Sequence, residues 1–186
     1  MIVNDKRFAS MLDKKVKTGY ELMVDDEEVC ICGGGWLLAG EMHELGRETL
    51  AVLVKHLGYI PRNICCMVFK AKDEYMTQGV TEETFAAQRA SFETGEPMEK
   101  ALYTGLRMGH PLYQLPDRRI LSVELASGIV EVSTQNGSAS GTASVCWMDD
   151  DSCVWFRAYR PSTADEHYPK WEALEKIWWP EKIMTE

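Results

Sequence analysis

Two cysteines spaced two residues apart are the first residues in this chain whose types and spacing suggest chemistry. On a strand, Cys30 and Cys32 would face the same side, so both thiolates could bind one zinc ion, with His43 completing the site. The adjacent pair Cys65 and Cys66 would face opposite sides, and no C-x-x-C motif occurs. Because free cysteine is among the most buried residue types, we expect structural thiols, with the zinc site as the alternative.

Other catalytic motifs are incomplete. The glycines at 33–35 lack the Lys-Ser/Thr of a phosphate-binding loop and lead into a strand, so they predict a plain turn. The sequence Gly-Ser-Ala-Ser-Gly at 137–141 has alanine where an esterase elbow needs its nucleophilic serine. His56, near the C-terminal end of a predicted helix, is explained by the favourable interaction of an imidazolium with the helix dipole. We therefore expect a non-enzymatic protein without a cofactor.

An acidic run beside two tryptophans is the strongest candidate for a binding surface. Three adjacent carboxylates do not chelate one ion easily, and the twelve-residue calcium-loop pattern is absent. A solvated turn explains the run without any function, whereas a contact patch would present the acids and tryptophans to a basic groove on a partner protein. The residues of this candidate partner-binding site are Trp147, Asp149, Asp150, Asp151 and Trp155. A second acidic run with the same two interpretations consists of Asp25, Asp26, Glu27 and Glu28.

Composition limits the classes of protein to which the chain can belong. Its 186 residues, 45% of them hydrophobic, are enough to bury a core without disulfides. The net charge of −9 argues against direct nucleic-acid binding, which needs a basic surface. We expect a cytoplasmic protein with reduced cysteines, because the first residues do not resemble a signal peptide and no apolar stretch has the length of a membrane span.

Helix caps and apolar periodicity predict the elements of the first part of the chain. The clearest is a central helix within 46–61, with Leu50, Leu53, Val54 and Leu57 on an apolar face that we expect to pack on a sheet. The other predicted features are a helix from Asp5 to about Lys17 capped by Asn4, strands at Tyr20–Val24, Val29–Cys32, Trp36–Ala39 and Ile64–Ala71, and a glycine C-cap at Gly58. This part therefore reads α-β-β-β-α-β and ends near Tyr75.

The rest of the chain predicts a helical connector followed by strands. Its predicted elements are a helix from Glu82 to about Glu93 capped by Thr81, a short helix at Met98–Arg107, strands at Ile120–Leu125, Ile129–Ser133, 138–147 and Cys153–Tyr159, and a terminal helix between Pro169 and Pro180. Asn136-Gly137 predicts a two-residue hairpin turn. In the terminal helix we expect Trp178 on the buried face and Trp179 exposed.

Together, these elements predict an α+β fold in two closely packed parts. An N-terminal α-β-β-β-α-β unit would span 1–78. A C-terminal part over 79–186 would contain the helical connector and an antiparallel meander closed by the terminal helix.

Three segments resemble short accessory proteins of bacterial phages and mobile elements: IVNDKRF at 2–8, HLGYIP at 56–61 and PKWEAL at 169–174. Some small acidic proteins of that kind are anti-CRISPR inhibitors or other counter-defence factors. The matched segments contain a helix cap, a helix end and a terminal helix, so the resemblance implies a class of protein and no functional residue.

These observations predict a non-enzymatic inhibitor that binds a protein through an acidic surface and blocks a host nucleic-acid-handling enzyme, such as a CRISPR nuclease. A groove built for phosphate is basic, so carboxylates can occupy it in place of DNA or RNA. Two alternatives stay open. One is a small metalloprotein or enzyme that uses cysteine and histidine, and the other is a structural or assembly protein whose apolar surface forms oligomers.

Overall fold

The computed structural model describes residues 3–92, 95, 97–124, 136–150 and 152–179, and its fold is mixed α and β, as predicted. The described residues divide into two compact units. The first unit comprises 3–91, 148–150 and 152–155, and the second comprises 92, 95, 97–124, 136–147 and 156–179. The boundary expected between residues 78 and 79 stays a prediction. Within the described ranges, no helix combines the length and the apolar composition that crossing a membrane requires.

Helices and antiparallel strands build the first unit. In chain order its elements are α1 (Asp5–Lys15), β1 (Tyr20–Val24), β2 (Glu28–Gly33), β3 (Trp36–Glu41), a 3-10 helix (Met42–Glu44), α2 (Arg47–Leu57), β4 (Ile64–Ala71), β5 (Glu74–Gly79) and α3 (Glu82–Ala90). The prediction α-β-β-β-α-β therefore missed β5, which forms a hairpin with β4. Five of the six β5 residues are exposed, so this strand has no apolar alternation that the sequence could reveal.

The strands of the first unit lie in the order β3-β2-β1-β4-β5 and are antiparallel throughout. Leu22, Ile31 and Leu38 stand in register on β1, β2 and β3, and all three are buried. Helix α1 packs Phe8 into this core, where its ring meets Trp36 edge to face with 5.7 Å between ring centroids. The alternating apolar residues of separate strands thus share one face, as the period of a strand requires.

Three predicted helix ends are confirmed. The Asn4 side chain accepts the backbone N–H of Arg7 (3.1 Å) at the start of α1, and Thr81 accepts that of Thr84 (3.1 Å) at the start of α3. Gly58 ends α2 with a φ of 84°, a region that glycine enters without a Cβ penalty. Helices α1 and α3 both end a few residues earlier than predicted.

Asp5 of α1 caps the N-terminus of α2. Its carboxylate accepts the backbone N–H groups of Glu48 (2.8 Å) and Thr49 (2.9 Å) and the Thr49 hydroxyl (2.6 Å). N–H groups in the first turn have no partner within their own helix, and a negative charge there also interacts favourably with the helix dipole. Gly46 permits this close approach, because a Cβ at that position would lie 2.0 Å from the carboxyl carbon of Asp5.

The buried face of α2 is rotated from the predicted one. Thr49, Leu53 and His56 are the buried residues, at i, i+4 and i+7, so two of the three are polar. They can be buried because α1 supplies their hydrogen-bond partners: Asp5 for Thr49 and Asp13 for His56. The three residues of the predicted apolar face that are only partly buried are Leu50, Val54 and Leu57.

Gly46→Ala is expected to destabilise the first unit by about 1–2 kcal/mol, because the added methyl group would displace the capping carboxylate of Asp5. Urea denaturation followed by circular dichroism measures the loss. Gly34→Ala is the matched control, since a Cβ there meets nothing within 4 Å. Equal stability of the two variants would contradict the assigned role of Gly46.

The strands of the second unit belong to a closed six-stranded barrel. The elements after α3 are β6 (Met98–Met108), β7 (His110–Gln114), β8 (Ile120–Val123), β9 (Gly137–Ser140), β10 (Ser144–Met148), β11 (Ser152–Tyr159) and α4 (Tyr168–Glu175). The strand order is β10-β9-β6-β7-β8-β11, and pairing of β10 with β11 closes the barrel. The division into units assigns residues 148 and 152–155 of these last two strands to the first unit. Pro180, the predicted closing residue of the terminal helix, lies outside the described residues.

The predicted helix at Met98–Arg107 is wrong, because these residues form most of β6. The strand pairs with β9 through Met98–Ala101 and with β7 through its second half. Its pairing with β7 is irregular between Tyr103 and Arg107, where Gly105 has a φ of 76°. The partner β9 is more than thirty residues away in the sequence, so a local pattern cannot indicate this pairing.

The single strand predicted over 138–147 is instead the hairpin of β9 and β10. The chain turns at Gly141, which has a φ of 53°, and the two strands pair antiparallel. Because β9 has β6 on one side and β10 on the other, the predicted two-residue hairpin turn at Asn136-Gly137 is also wrong. The predicted strand Ile129–Ser133 lies outside the described residues.

Gln114, fully buried at the end of β7, holds the segment that follows α4. Its Nε2 donates to the carbonyls of Arg118 (3.1 Å) and Ile177 (2.8 Å), and its Oε1 accepts the backbone N–H of Trp179 (3.0 Å). The Trp179 side chain packs on a buried apolar cluster of the second unit. The expectation of an exposed Trp179 beside a buried Trp178 is therefore wrong, since both residues are partly buried.

Gln114→Leu is expected to release residues 176–179, because the Ile177 carbonyl and the Trp179 N–H lose their partly buried hydrogen bonds, each worth roughly 0.5–1.5 kcal/mol. Limited proteolysis with mass spectrometry would detect earlier cleavage within this segment. Gln78→Leu, at an exposed position of β5, serves as the control. Identical cleavage patterns in both variants would remove Gln114 as the anchor.

Candidate functional site

The first residue of the acidic turn between β1 and β2 holds the turn in shape. The Asp25 carboxylate accepts the backbone N–H groups of Glu28 (2.7 Å) and Glu27 (3.0 Å), and these hydrogen bonds lower the pKa of Asp25. The backbone N–H of Asp25 donates to the Glu28 carbonyl (3.0 Å). Asp25 thus has a structural role, while the exposed Asp26 and Glu27 extend the charge of the turn outward.

A cleft of about 650 Å³ opens beside this turn. Three segments line it: the turn at 25–27, the end of β3 with the start of the 3-10 helix at 41–43, and residues 60–62 after α2. The backbone N–H of Met42 donates to the Glu27 carbonyl (2.7 Å), which ties the first two walls together. We call this feature the acidic cleft.

Carboxylates give the acidic cleft its chemical character. Residues 25–27 and Glu41 contribute four of them, and Arg62 lies in the third wall. His43 contacts Glu41 (3.3 Å from Nδ1 to Oε2), and its side chain is 73% exposed. Ile60 adds an apolar surface and is 55% exposed. A concave surface with several like charges produces a strong local potential, so the cleft is suited to a cationic ligand that also has an apolar part.

The acidic run that follows Trp147 begins in the turn between β10 and β11. The Asp149 carboxylate accepts the backbone N–H and the hydroxyl of Ser152 (both 2.7 Å), so this residue holds its turn as Asp25 does. Asp150 is exposed, and Asp151 lies outside the described residues. Their role in binding a partner stays a prediction.

The tryptophans expected beside this run do not offer a surface to a partner. Trp147 is 4% exposed and Trp155 is 6% exposed. In the second unit the Trp147 ring packs edge to face on Tyr113 (5.4 Å between centroids) and Phe156 (6.1 Å). This correction follows from packing, because large aromatic rings contribute most of their stabilisation when they are buried.

Cys30 and Cys32, the two cysteines of the alternative zinc site, are buried. All six cysteines are free. Burial raises the pKa of Cys30 to about 12 and that of Cys32 further, and the Cys32 thiol donates to Glu21 (3.6 Å). His43 lies on the exposed 3-10 helix. In the part of the chain that the structure describes, no group of three or more His, Cys, Asp or Glu side chains is arranged to hold a metal ion.

His56 is a buried polar centre that the sequence did not predict. Asp13 is the carboxylate partner: its Oδ1 lies 3.0 Å from His56 Nε2 and 2.7 Å from Lys55 Nζ. The Tyr20 hydroxyl lies 2.9 Å from His56 Nδ1. The His56 side chain is fully buried, whereas the helix-dipole interpretation considered only an imidazolium near the helix end.

The contacts of His56 determine its tautomer. The charged Asp13 carboxylate can only accept, so His56 donates from Nε2, and Nδ1 is left to accept from the Tyr20 hydroxyl. Burial raises the pKa of Tyr20, so the hydroxyl keeps its hydrogen. Burial also lowers the pKa of His56. Asp13 opposes this effect, and the positive charge of Lys55 adds to it. Tyr20, neutral His56 and charged Asp13 therefore form a hydrogen-bonded chain.

Comparison of this chain with protein-family models, with curated proteins and with solved structures finds no match.

The buried thiols are expected to resist alkylation, because the thiolate is the reactive form and burial disfavours it. After brief treatment with iodoacetamide at pH 8, peptide mass spectrometry should find Cys30 and Cys32 unmodified in the native protein and modified in urea. Rapid modification of Cys32 in the native protein would reopen the interpretation of a reactive or metal-binding thiol.

Proposed function

We propose that the protein is a non-enzymatic binding protein whose acidic cleft holds a basic segment of a partner protein. One observation supports this function above others: four carboxylates and an exposed isoleucine line a single cleft of about 650 Å³. A purely solvated acidic turn would not need the apolar surface or the concave shape.

The chemistry of the cleft matches arginine and lysine side chains. Each has a charged head that pairs with a carboxylate and an aliphatic stem that covers apolar surface. In the acidic cleft the head would meet Asp26, Glu27 or Glu41, and the stem would lie on Ile60. Long-range attraction between the acidic first unit and a basic partner would also accelerate the encounter.

The class of partner follows from the same chemistry. Enzymes that handle DNA or RNA present basic grooves to phosphate, and an acidic surface can compete for such a groove. We propose a cytoplasmic inhibitor of such an enzyme, for which a host nuclease is the favoured target. The resemblance of three segments to accessory proteins of phages and mobile elements supports this choice.

Neutralising two cleft carboxylates is expected to weaken binding of a basic peptide. The probe is a fluorescein-labelled peptide that repeats arginine, leucine and lysine, and binding is measured by fluorescence anisotropy in 0.1 M salt. Asp26→Asn with Glu27→Gln should lower the affinity by about tenfold, or about 1.4 kcal/mol, because two charges that face the ligand are lost.

The control makes the same change in charge elsewhere. Asp73→Asn with Glu74→Gln removes two adjacent exposed carboxylates that do not line the acidic cleft. An equal loss of affinity in this control would mean that net charge, and not the cleft, attracts the peptide. Wild-type protein that does not bind the peptide at all would refute the proposed function.

A further inference from the structure

His56 is surrounded by groups that respond to charge on its ring. Asp13 from α1 faces Nε2, and Tyr20 from β1 faces Nδ1. Lys55, the preceding residue on α2, binds the same Asp13 oxygen as His56 does. A proton added to the ring would therefore alter the hydrogen bonds that join α2 to α1 and to the sheet.

The β4–β5 hairpin supplies the remaining groups near the imidazole. The Tyr75 ring lies 4.7 Å from the His56 ring between centroids, and Lys70 Nζ lies 5.2 Å from the centre of the Tyr75 ring. Lys70 disfavours a charge on His56, and Cys66 lies near the Tyr20 hydroxyl. Among the described residues, these side chains and those of the preceding paragraph are the charged or titratable groups that face the hydrogen-bonded chain of Tyr20, His56 and Asp13.

Protonation of His56 conflicts with the hydrogen bond to Tyr20. In the neutral state the Tyr20 hydroxyl donates to Nδ1. Once Nδ1 carries a hydrogen, that N–H donates to the Tyr20 oxygen, so the hydroxyl hydrogen must turn away and loses its acceptor in a buried site. A buried donor without an acceptor is costly, so the ring is driven from its position.

The last turn of α2 leads directly into the acidic cleft. His56 lies in that turn, and Gly58 closes it by donating its backbone N–H to the Val54 carbonyl (2.8 Å). The chain then runs through the exposed Tyr59 into residues 60–62, the third wall of the cleft. Displacement of the turn would move this wall.

We propose that His56 is an acid-sensitive switch whose protonation releases the last turn of α2 and opens the third wall of the acidic cleft. The protein then holds its basic partner at neutral pH and lets it go in acid. The identity of the ligand rests on the proposed function, whereas the movement of α2 does not depend on it.

The pH window of the switch follows from the direction of the pKa change. Burial lowers the pKa of His56 from its ordinary value of about 6.5, so the released state binds the proton more readily. The closed state is therefore fully favoured above about pH 6.5 and loses stability as the pH falls from there toward the lowered value. Hydrogen bonds from Lys55 and His56 lower the pKa of Asp13, so it stays charged until the pH falls below about 3.8.

The experiment measures the affinity of the labelled arginine-leucine-lysine peptide between pH 7.5 and 5.5. All proteins carry His43→Gln, so that the histidine that lines the cleft itself is the same in every comparison. With His56 present, the affinity should fall by at least about fivefold over this range. His56→Gln should abolish that fall, because a glutamine amide can donate to Asp13 and accept from Tyr20 at every pH.

A matched control and a second variant keep the test decisive. His167→Gln, at an exposed position of the second unit, should leave the pH dependence unchanged. Tyr20→Phe removes the hydroxyl whose hydrogen loses its acceptor on protonation, so the fall in affinity on acidification should become smaller. An undiminished fall in Tyr20→Phe, or an unchanged fall in His56→Gln, would overturn the switch.

A peptide-independent measurement separates this inference from the proposed function. Nuclear magnetic resonance follows protonation of His56, and hydrogen exchange follows the Gly58 amide. We expect the protection factor of the Gly58 amide, which relates its exchange to that of an unprotected amide at the same pH, to fall as His56 becomes protonated, whether or not the peptide binds. A falling protection factor without peptide binding would support the switch and refute the function, whereas peptide binding with a constant protection factor would refute the switch alone.

Discussion

The first unit depends on two carboxylates of α1 that hold α2 at both of its ends. Asp5 accepts the N–H groups in the first turn of α2, and Asp13 accepts from His56 in the last turn. These bonds replace the water that Thr49 and His56 lose on burial, and a buried polar group without a partner would cost roughly 1–3 kcal/mol. The aspartates lie eight residues apart, about 12 Å along α1, which is close to the seven-residue spacing of Thr49 and His56. The two helices therefore run in the same direction with a defined axial register.

The second of these carboxylates also connects the helices to the sheet. His56 receives Asp13 from α1 on one ring nitrogen and Tyr20 from β1 on the other, while Tyr75 of β5 packs against its ring. One imidazole thus contacts elements that lie far apart in the sequence. A polar group with two specific partners has fewer acceptable positions than an apolar side chain of similar size, because a displaced ring loses both hydrogen bonds. Such a centre orients the end of α2, and with it the chain that continues into the acidic cleft.

The features that could be predicted from the sequence are those whose cause is local. Asn4, Gly58 and Thr81 act on the helix turn in which they lie, so residue type and position were sufficient to predict them. The predicted helix at Met98–Arg107 was wrong because β6 is stabilised by pairing with β7 and with β9, which lies more than thirty residues away. His56 was misread because its position near a helix end suggested a charge that interacts with the helix dipole, while its partners come from α1 and β1. The acidic residues at 25–28 were identified by charge alone, but the cleft also needs Glu41 and Ile60 from other segments.

A cluster of carboxylates attracts any cation, so charge by itself cannot make the acidic cleft selective. Selectivity requires that the charges and the apolar surface keep a defined separation. The hydrogen bonds of Asp25 and the bond from Met42 to Glu27 provide this for two of the three walls. The third wall, with Ile60 and Arg62, follows α2 without a comparable bond of its own among the hydrogen bonds of the described residues. The last turn of α2 precedes this wall directly and β4 follows it two residues after Arg62, so the buried partners of His56 help to set the shape of the proposed binding surface.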